Sequence, residues 1–201
     1  MPRHSKKLRA RTSWRRRIGA VSDARIIRNL ALAGFMGTGK SSVGQLVAAQ
    51  LHHRFVDTDD LIEARAGKSV NRVFEQEGEA KFREYEAAVV EDLTTWQNTV
   101  IATGGGLVAH EANLASLKTH ALVICLWASP ETIWERVKSQ THRPLLRTPD
   151  AQARIRELLA ERAPFYRQAD VLVNTELRSI KEVAHHVIHQ FRMARGQPVH
   201  R

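Results

Sequence analysis

A glycine-rich stretch at residues 34–41 ends in Lys40 and Ser41 and has four residues between its two fixed glycines. This spacing fits the phosphate-binding pattern G-x-x-x-x-G-K-[ST]. Glycines let the backbone come close to a phosphate and direct its N–H groups inward, and a helix that begins there adds partial positive charge. Lys40 can reach the β- and γ-phosphates, and the Ser41 hydroxyl can ligate Mg²⁺. The stretch therefore predicts binding of a nucleoside triphosphate.

An acidic pair, Asp57 and Asp59, and three successive glycines at 104–106 each allow two interpretations. Asp57 could hold Mg²⁺ through water while Asp59 takes the proton of a substrate hydroxyl, or the pair could simply cap a helix. The glycines could let the backbone approach a ligand, or they could form a hinge.

Arg83 has Glu79 four residues before it and Glu86 three residues after it. At helical spacing, either carboxylate can hold the guanidinium. An arginine oriented in this way can bind an anionic group through two parallel hydrogen bonds. An ordinary surface charge ladder would give the same spacing.

The elements that must position these residues are strands alternating with helices, which predicts a parallel sheet covered on both faces. Five apolar runs are the predicted strands: 30–33, 54–56, 99–102, 121–127 and 171–173. Helices are predicted after the phosphate loop, over 60–66 and 70–96, after Pro130, up to about residue 162 and over 180–191. Residues 140–151 contain two prolines and are predicted to form a loop. Because open α/β sheets bind ligands at the carboxyl ends of their strands, we expect the acidic pair and the glycines there.

At 201 residues, with 43% hydrophobic and 26% charged residues, the chain has the composition of one soluble globular domain. No apolar run approaches the ~20 residues that a membrane-spanning helix needs. The only cysteine, Cys125, lies inside an apolar run and has no partner for an internal disulfide. This favours a buried thiol in the reducing cytoplasm.

The net charge of +10 is concentrated at the N-terminus. Residues 1–28 contain ten lysines and arginines against one acid, whereas the rest of the chain is nearly neutral. We predict a basic and mostly disordered extension at 1–25, a folded domain at 26–195 and a short tail at 196–201. A solvated extension without specific function, weak polyanion binding and an organellar transit peptide all fit the composition of residues 1–25. The folded domain itself shows no charge that predicts a specific nucleic-acid partner.

Together these groups resemble the shikimate kinase family. In order, that family carries a phosphate loop G-x-x-G-x-G-K-S, D-[ST]-D, I/V-F-x-x-x-G-E-x-x-F-R-x-x-E, T-G-G-G, R-P-L-L and E-R-x-P-x-Y. The corresponding segments here are 34–41, 57–59, 73–86, 103–106, 143–146 and 161–166. The similarity extends from about residue 30 to residue 191, with Ser42 at a position where threonine is common.

The resemblance implies a three-layer α/β/α P-loop fold with a five-stranded parallel sheet in the order 2-3-1-4-5, as in nucleoside monophosphate kinases. It implies ATP-dependent phosphorylation of the shikimate 3-hydroxyl, with Mg²⁺ bound by Ser41 and, through water, by Asp57. The implied catalytic residues are Lys40, Asp59 and Arg143, the last of these in a mobile lid.

The resemblance also implies two sets of binding residues. Those for ATP are Gly37, Thr38, Gly39, Lys40, Ser41, Ser42, Arg136, Arg143 and Arg178. Those for shikimate are Asp59, Phe74, Phe82, Arg83, Gly104, Gly105, Gly106 and Arg162. In these sets Arg136 would stack on adenine, Arg83 and Arg162 would bind the shikimate carboxylate, and the two phenylalanines would form a wall beside the ring.

Two alternatives remain open from the sequence. A related small-molecule kinase, for gluconate or for an amino analogue of shikimate, would share the phosphate loop. A nucleotide-gated binding protein would meet its partner through the basic extension. The complete set of motifs favours a kinase, which we expect to be a cytoplasmic monomer without a membrane partner.

Overall fold

Strands and helices alternate along residues 25–139 and 150–196, which are the residues described by this computed structural model. The strands are β1 (Asn29–Ala33), β2 (Arg54–Asp57), β3 (Thr99–Ala102), β4 (Ala121–Trp127) and β5 (Val171–Asn174). The α-helices are α1 (Lys40–Leu51), α2 (Thr58–Ala66), α3 (Val70–Leu93), α4 (Glu111–His120), α5 (Pro130–Val137), α6 (Ala151–Tyr166) and α7 (Ile180–Ala194).

The five strands form one parallel sheet in the order β2-β3-β1-β4-β5. This confirms the predicted fold class and strand order. Ala102 of β3 pairs with Asp57 of β2 on one side and with Leu32 of β1 on the other. The carboxyl ends of these three strands therefore lie side by side, and the segments that follow them share one edge of the sheet.

Both faces of the sheet are buried, which is why β1 and most of β4 are apolar without alternation. Ala31, Ala33 and Cys125 face a core built with α2, α3, α4, α5 and α6. Leu30 and Leu32 face the opposite core, which α1 and α7 cover. Cys125 is a buried free thiol, as the sequence predicts.

Helix α3 departs from the uninterrupted helix predicted over 70–96. It ends at Leu93, and Gly78 interrupts it with φ 82° and ψ 175°. A side chain disfavours such a positive φ, so glycine is suited to this kink. In a straight helix, eight residues would separate Phe74 from Phe82 by about 12 Å along the axis. The kink instead brings their ring centroids to 4.5 Å.

Two further helices differ from the sequence prediction. Helix α4 was not predicted, because only Leu114 and Leu117 bring large apolar side chains to its buried face. Helix α6 was expected to end near residue 162, but it continues through Pro164 to Tyr166, whose side chain is buried in the core. The predicted lid loop lies almost wholly outside the described residues, and so does Arg143.

Arg25, the last residue assigned to the basic extension, is attached to the domain. Its guanidinium donates to Asp170 Oδ1 at 3.0 Å and to the carbonyl oxygen of Ala121 at 2.6 Å. Asp170 Oδ2 also accepts a hydrogen bond from the Val123 amide at 2.8 Å. The rest of the extension, residues 1–24, lies outside the described residues. Within residues 25–139 and 150–196, no helix has the length and apolar character needed to cross a membrane.

Candidate active site

The phosphate loop connects the carboxyl end of β1 to the first residue of α1. Gly34 has φ 131°, and a Cβ there would lie 2.1 Å from the Leu126 carbonyl oxygen. Only glycine can occupy this position, because both the dihedral and the contact exclude a side chain. The Thr38 hydroxyl and Lys40 Nζ both donate to the Phe35 carbonyl, at 2.8 and 3.0 Å. The lysine head is therefore held at the loop that the sequence predicts to bind phosphates.

Ser41 and Asp57 bring two oxygen ligands together at the start of α1 and the end of β2. The Ser41 hydroxyl donates to Asp57 Oδ2 at 3.0 Å. The other carboxylate oxygen of Asp57 accepts from the Asp59 amide at 3.1 Å and so caps α2. The capping and metal-binding interpretations are thus compatible. A hydroxyl and a carboxylate suit Mg²⁺, which prefers oxygen ligands and keeps several of its waters.

Asp59 lies in the first turn of α2, beside the glycine turn at 104–106. Burial and the charge of Asp57, opposed by Lys40, together raise the pKa of its carboxyl to about 6. A Cβ on Gly104 would lie 2.6 Å from Asp59 Oδ1, and the Gly104 amide donates to Thr58 Oγ1 at 2.8 Å. Glycine at 104 therefore leaves space for Asp59, which favours the interpretation of a close approach at this turn over that of a simple hinge.

The next two glycines face two arginines that are distant in sequence. A Cβ on Gly105 would lie 3.5 Å from Arg162 Nη1. A Cβ on Gly106 would lie 3.3 Å from Arg83 Nη1 and 3.8 Å from Arg162 Nη2. Arg83 from α3 and Arg162 from α6 thus converge on one turn, and two neighbouring guanidinium groups can bind one carboxylate.

Two carboxylates hold Arg83, as the spacing predicts. Glu79 Oε1 accepts from Arg83 Nη2 at 2.7 Å, and Glu86 Oε2 accepts from Nη1 at 2.6 Å. Glu79 is exposed, whereas Glu86 is buried. Burial raises the pKa of Glu86, while the Arg83 guanidinium pulls that pKa down. The Arg83–Glu86 pair is therefore more than a surface charge ladder.

Aromatic rings lie under both guanidinium groups. Arg83 Cζ is 5.2 Å from the Phe82 ring centroid, and Arg162 Cζ is 5.6 Å from the Phe35 ring centroid. A planar guanidinium stacks well on such faces, which restricts its orientation. Phe82 is buried, and Phe74 beside it is 40% exposed. The two phenylalanines therefore form a partly open apolar wall next to Arg83.

Tyr166 belongs to the E-R-x-P-x-Y pattern, but no role was predicted for it from the sequence. Its buried hydroxyl donates to the Gly105 carbonyl at 2.7 Å, which fixes the glycine turn from below. Burial raises the pKa of Tyr166 to about 12, so the hydroxyl remains a donor. The spacing could have indicated that Tyr166 lies at the site, because it comes four residues after Arg162 and so shares its face of α6.

Two adjoining cavities extend over the phosphate loop. One, of about 350 Å³, is lined by Met36, Lys40, Ser41, Asp57, Asp59, Thr103, Gly104 and Gly105. The other, of about 320 Å³, is lined by Thr38, Val43, Thr175, Arg178, Ser179, Ile180 and Val183. Gly37, Gly39, Ser42 and Arg136 line both cavities. The two cavities thus meet at the phosphate loop, where they share these four residues.

Arg136 bridges the walls of the second cavity. Its guanidinium donates to the Thr175 carbonyl at 2.7 Å, to Thr175 Oγ1 at 2.9 Å and to the Gly37 carbonyl at 3.3 Å. The structure thus brings together the expected site residues that it describes; Arg143 lies outside the described residues.

Comparisons with known proteins show which family the chain resembles. The family described as Shikimate kinase matches residues 36–192. A shikimate kinase of Caldanaerobacter subterraneus subsp. tengcongensis is 45% identical over 171 residues, covering 85% of this chain and 100% of the relative. The structure of an Acinetobacter baumannii shikimate kinase in complex with shikimate aligns with TM-score 0.78 and 32% identity, covering 84% of this chain and 95% of the other. A Sinorhizobium meliloti gluconokinase, with TM-score 0.56 and 17% identity over 86% of this chain and 97% of its own, shares the fold alone.

Proposed function

This chain belongs to the shikimate kinase family, and from that premise we propose which of its residues transfer the γ-phosphoryl group of ATP to the 3-hydroxyl of shikimate. It is an ATP-dependent kinase of the shikimate pathway, which leads to chorismate and the aromatic amino acids. The observation that carries the residue assignment is the convergence of Asp59, Arg83 and Arg162 on the turn at 104–106, beside the phosphate loop.

On the nucleotide side, the amides of residues 37–42 and Lys40 would bind the phosphates. Arg136 and Arg178 would contact the base, since both line the second cavity. Arg143 would close over the phosphates and meet the charge that develops during transfer. Because phosphoryl transfer needs mainly positioning and charge neutralisation, these contacts account for most of the required catalysis.

On the acceptor side, Arg83 and Arg162 would bind the shikimate carboxylate, with Phe74 and Phe82 beside the ring. Gly104, Gly105 and Gly106 would let the substrate approach the backbone closely. Asp59 would accept the hydrogen bond of the reacting hydroxyl and take its proton. A carboxyl with a pKa of about 6 is ionised at neutral pH yet has a higher proton affinity than an exposed aspartate.

The residues that would hold Mg²⁺ are Ser41, directly, and Asp57, through water. Their oxygens lie 3.0 Å apart, and the donor set suits a hard cation. When bound, Mg²⁺ would neutralise negative charge on the phosphates during transfer. We further propose that the enzyme is cytoplasmic, since ATP is its phosphoryl donor. We also propose that it is a monomer. In this proposal residues 26–195 form the catalytic domain, without a specific nucleic-acid partner.

A coupled assay of ADP release tests the function. The purified protein with ATP and Mg²⁺ is given shikimate, gluconate or no acceptor. We expect shikimate to stimulate ADP release strongly and gluconate not to do so, because gluconate is flexible and lacks the ring that the phenylalanine wall would contact. Equal ADP release with and without shikimate would overturn the assignment, and stimulation by gluconate alone would favour the related kinase.

A further inference from the structure

Glu176 links the start of α5 to the segment between β5 and α7. Its Oε1 accepts hydrogen bonds from the Ser129 amide at 2.8 Å and from the Thr132 hydroxyl at 3.0 Å. Ser129 is the N-cap residue of α5, and its hydroxyl accepts from the Thr132 amide at 3.3 Å. Glu176 therefore completes the capping of this helix from a different part of the chain, at the end that favours negative charge.

The same two elements each contribute residues to the lining of the second cavity. Helix α5 carries Arg136, and the residue before Glu176 is Thr175, which Arg136 contacts through both its carbonyl and its hydroxyl. Thr175 is buried, and its amide donates to the Trp127 carbonyl at 2.9 Å. Two connections thus join α5 to this segment: Glu176 at the start of the helix and Arg136 near its end.

The backbone around Glu176 restricts its side chain further. Its amide donates to Asn174 Oδ1 at 2.7 Å, and the Asn174 side-chain amide contacts Glu176 Oε2 at 3.4 Å. Hydrogen bonds from the Ser129 side chain and amide, and from Thr132, lower the pKa of Glu176 to about 2. The carboxylate is therefore charged at every pH at which the enzyme would be assayed.

We propose that Glu176 is a positioning residue for nucleotide binding: it sets the distance between Arg136 and the segment of Thr175 and Arg178, and so the width of the second cavity. Glu176 is not among the residues that line this cavity, so its effect passes through α5 and Thr175. The inference rests on the proposed function, in which this cavity receives the base of ATP.

Replacing Glu176 by alanine tests the inference. We expect the KM for ATP to rise about ten-fold, the loss that corresponds to one charge-assisted hydrogen bond. The affinity for a fluorescent ADP analogue, titrated without shikimate, should fall by a similar factor. The KM for shikimate should stay within about two-fold of wild type, because Arg83, Arg162 and Asp59 are held by other elements. A merely structural loss would change both KM values together or lower only the amount of active enzyme.

Two milder variants keep the test decisive if Glu176→Ala fails to fold. Glu176→Gln retains an oxygen acceptor for Ser129 and Thr132 and should restore most of the nucleotide affinity. Thr132→Val removes one donor with little change of shape and should raise the KM for ATP by about two- to three-fold. Glu135→Ala on the same helix is the control, since its exposed side chain pairs with Lys138 and should leave ADP affinity unchanged.

If folded Glu176→Ala and Thr132→Val bind the ADP analogue as wild type does, the inference is wrong. It is equally wrong if the glutamine variant is as weak as the alanine variant. Failure of the proposed function is distinguishable, because wild-type protein would then release no additional ADP with shikimate while still binding the ADP analogue.

Discussion

The Asp59 carboxyl lies where ionisation is costly, since burial and the charge of Asp57 raise its pKa from 3.8 to about 6. Between these two pH values the folded protein binds more protons than the unfolded chain. Its stability therefore falls as the pH rises through this window, and the full cost is present at pH 7. A carboxylate in this position thus lowers the stability of the fold that holds it.

We predict that Asp59→Asn abolishes most shikimate phosphorylation and yet stabilises the protein. The free energy of unfolding should rise by about 2 to 3 kcal/mol at pH 7, and the gain should vanish below about pH 4. Urea unfolding of both proteins at several pH values measures this difference. A gain that is independent of pH would show that ionisation of Asp59 is not its cause.

Arg83 tests recognition of a carboxylate against general positive charge. A lysine at this position keeps the charge but cannot give two parallel hydrogen bonds or stack on Phe82 in the same way. Arg83→Lys should therefore raise the KM for shikimate roughly ten- to hundred-fold while the KM for ATP barely changes. Arg72→Lys, an exposed position on the same helix, is the control. A parallel rise in both KM values would place the carboxylate site elsewhere.

At the scale of elements, neighbouring glycines in the turn after β3 lie against different side chains, Gly104 against Asp59 and Gly105 against Arg162. Neither Gly104 nor Gly105 has a positive φ, so an alanine at either position would act through contact alone. At 104 the new methyl group would meet Asp59, whereas at 105 it would lie at an ordinary contact distance from Arg162.

Gly104→Ala should therefore lower kcat by about 100-fold, since displacement of a catalytic group by about 1 Å costs that much. The melting temperature should hardly change, because the atom that must move is the end of a side chain. Gly105→Ala should instead raise the KM for shikimate and leave kcat close to wild type. Steady-state kinetics of both variants measure the contrast, which equal effects on kcat would contradict.

The sequence predicted the elements whose signals are local. The phosphate loop follows a fixed spacing, and buried parallel strands such as β1 and β4 are continuous apolar runs. Helix α4 was missed because a weakly amphipathic segment gives little periodic signal. The kink at Gly78 was missed because a glycine inside a helical pattern is compatible with an uninterrupted helix.

The residue types of the site were predictable from the sequence, but the hydrogen bonds between distant segments were not. Motif spacing indicated Arg83 and its two acidic partners, and the structure shows both ion pairs. The hydrogen bond from Tyr166 to Gly105 joins residues that are 61 positions apart, and that between Glu176 and Ser129 spans 47. Such contacts depend on how the elements pack, which periodicity does not record.

At the scale of the whole molecule, the basic charge is concentrated in a part of the sequence that contains no predicted site residue. Residues 1–24 contain eight lysines and arginines and one acid, and none of the predicted site residues. Arg25, where the described part of the chain begins, contacts the domain through a partly exposed pair with Asp170. The Asp170 carboxylate in turn accepts the Val123 amide, so Arg25 ties the chain to the amino-terminal half of β4.

A variant that lacks residues 2–24 should therefore retain wild-type kcat and both KM values, but lose most of its affinity for heparin. Heparin is a polyanion, and its binding to clustered cations weakens with salt.

Adding Arg25→Ala to this variant should lower the melting temperature by about 2–4 °C, as expected for a loss of about 1 kcal/mol in a domain of this size. Its kinetics should remain unchanged, because Asp170 lies at the opposite end of β5 from Thr175. Heparin chromatography, thermal melts and steady-state assays of the three proteins separate these effects. A collapse of kcat on truncation would mean that the extension contributes to the active site, and retained heparin affinity would place the polyanion-binding surface on the folded domain.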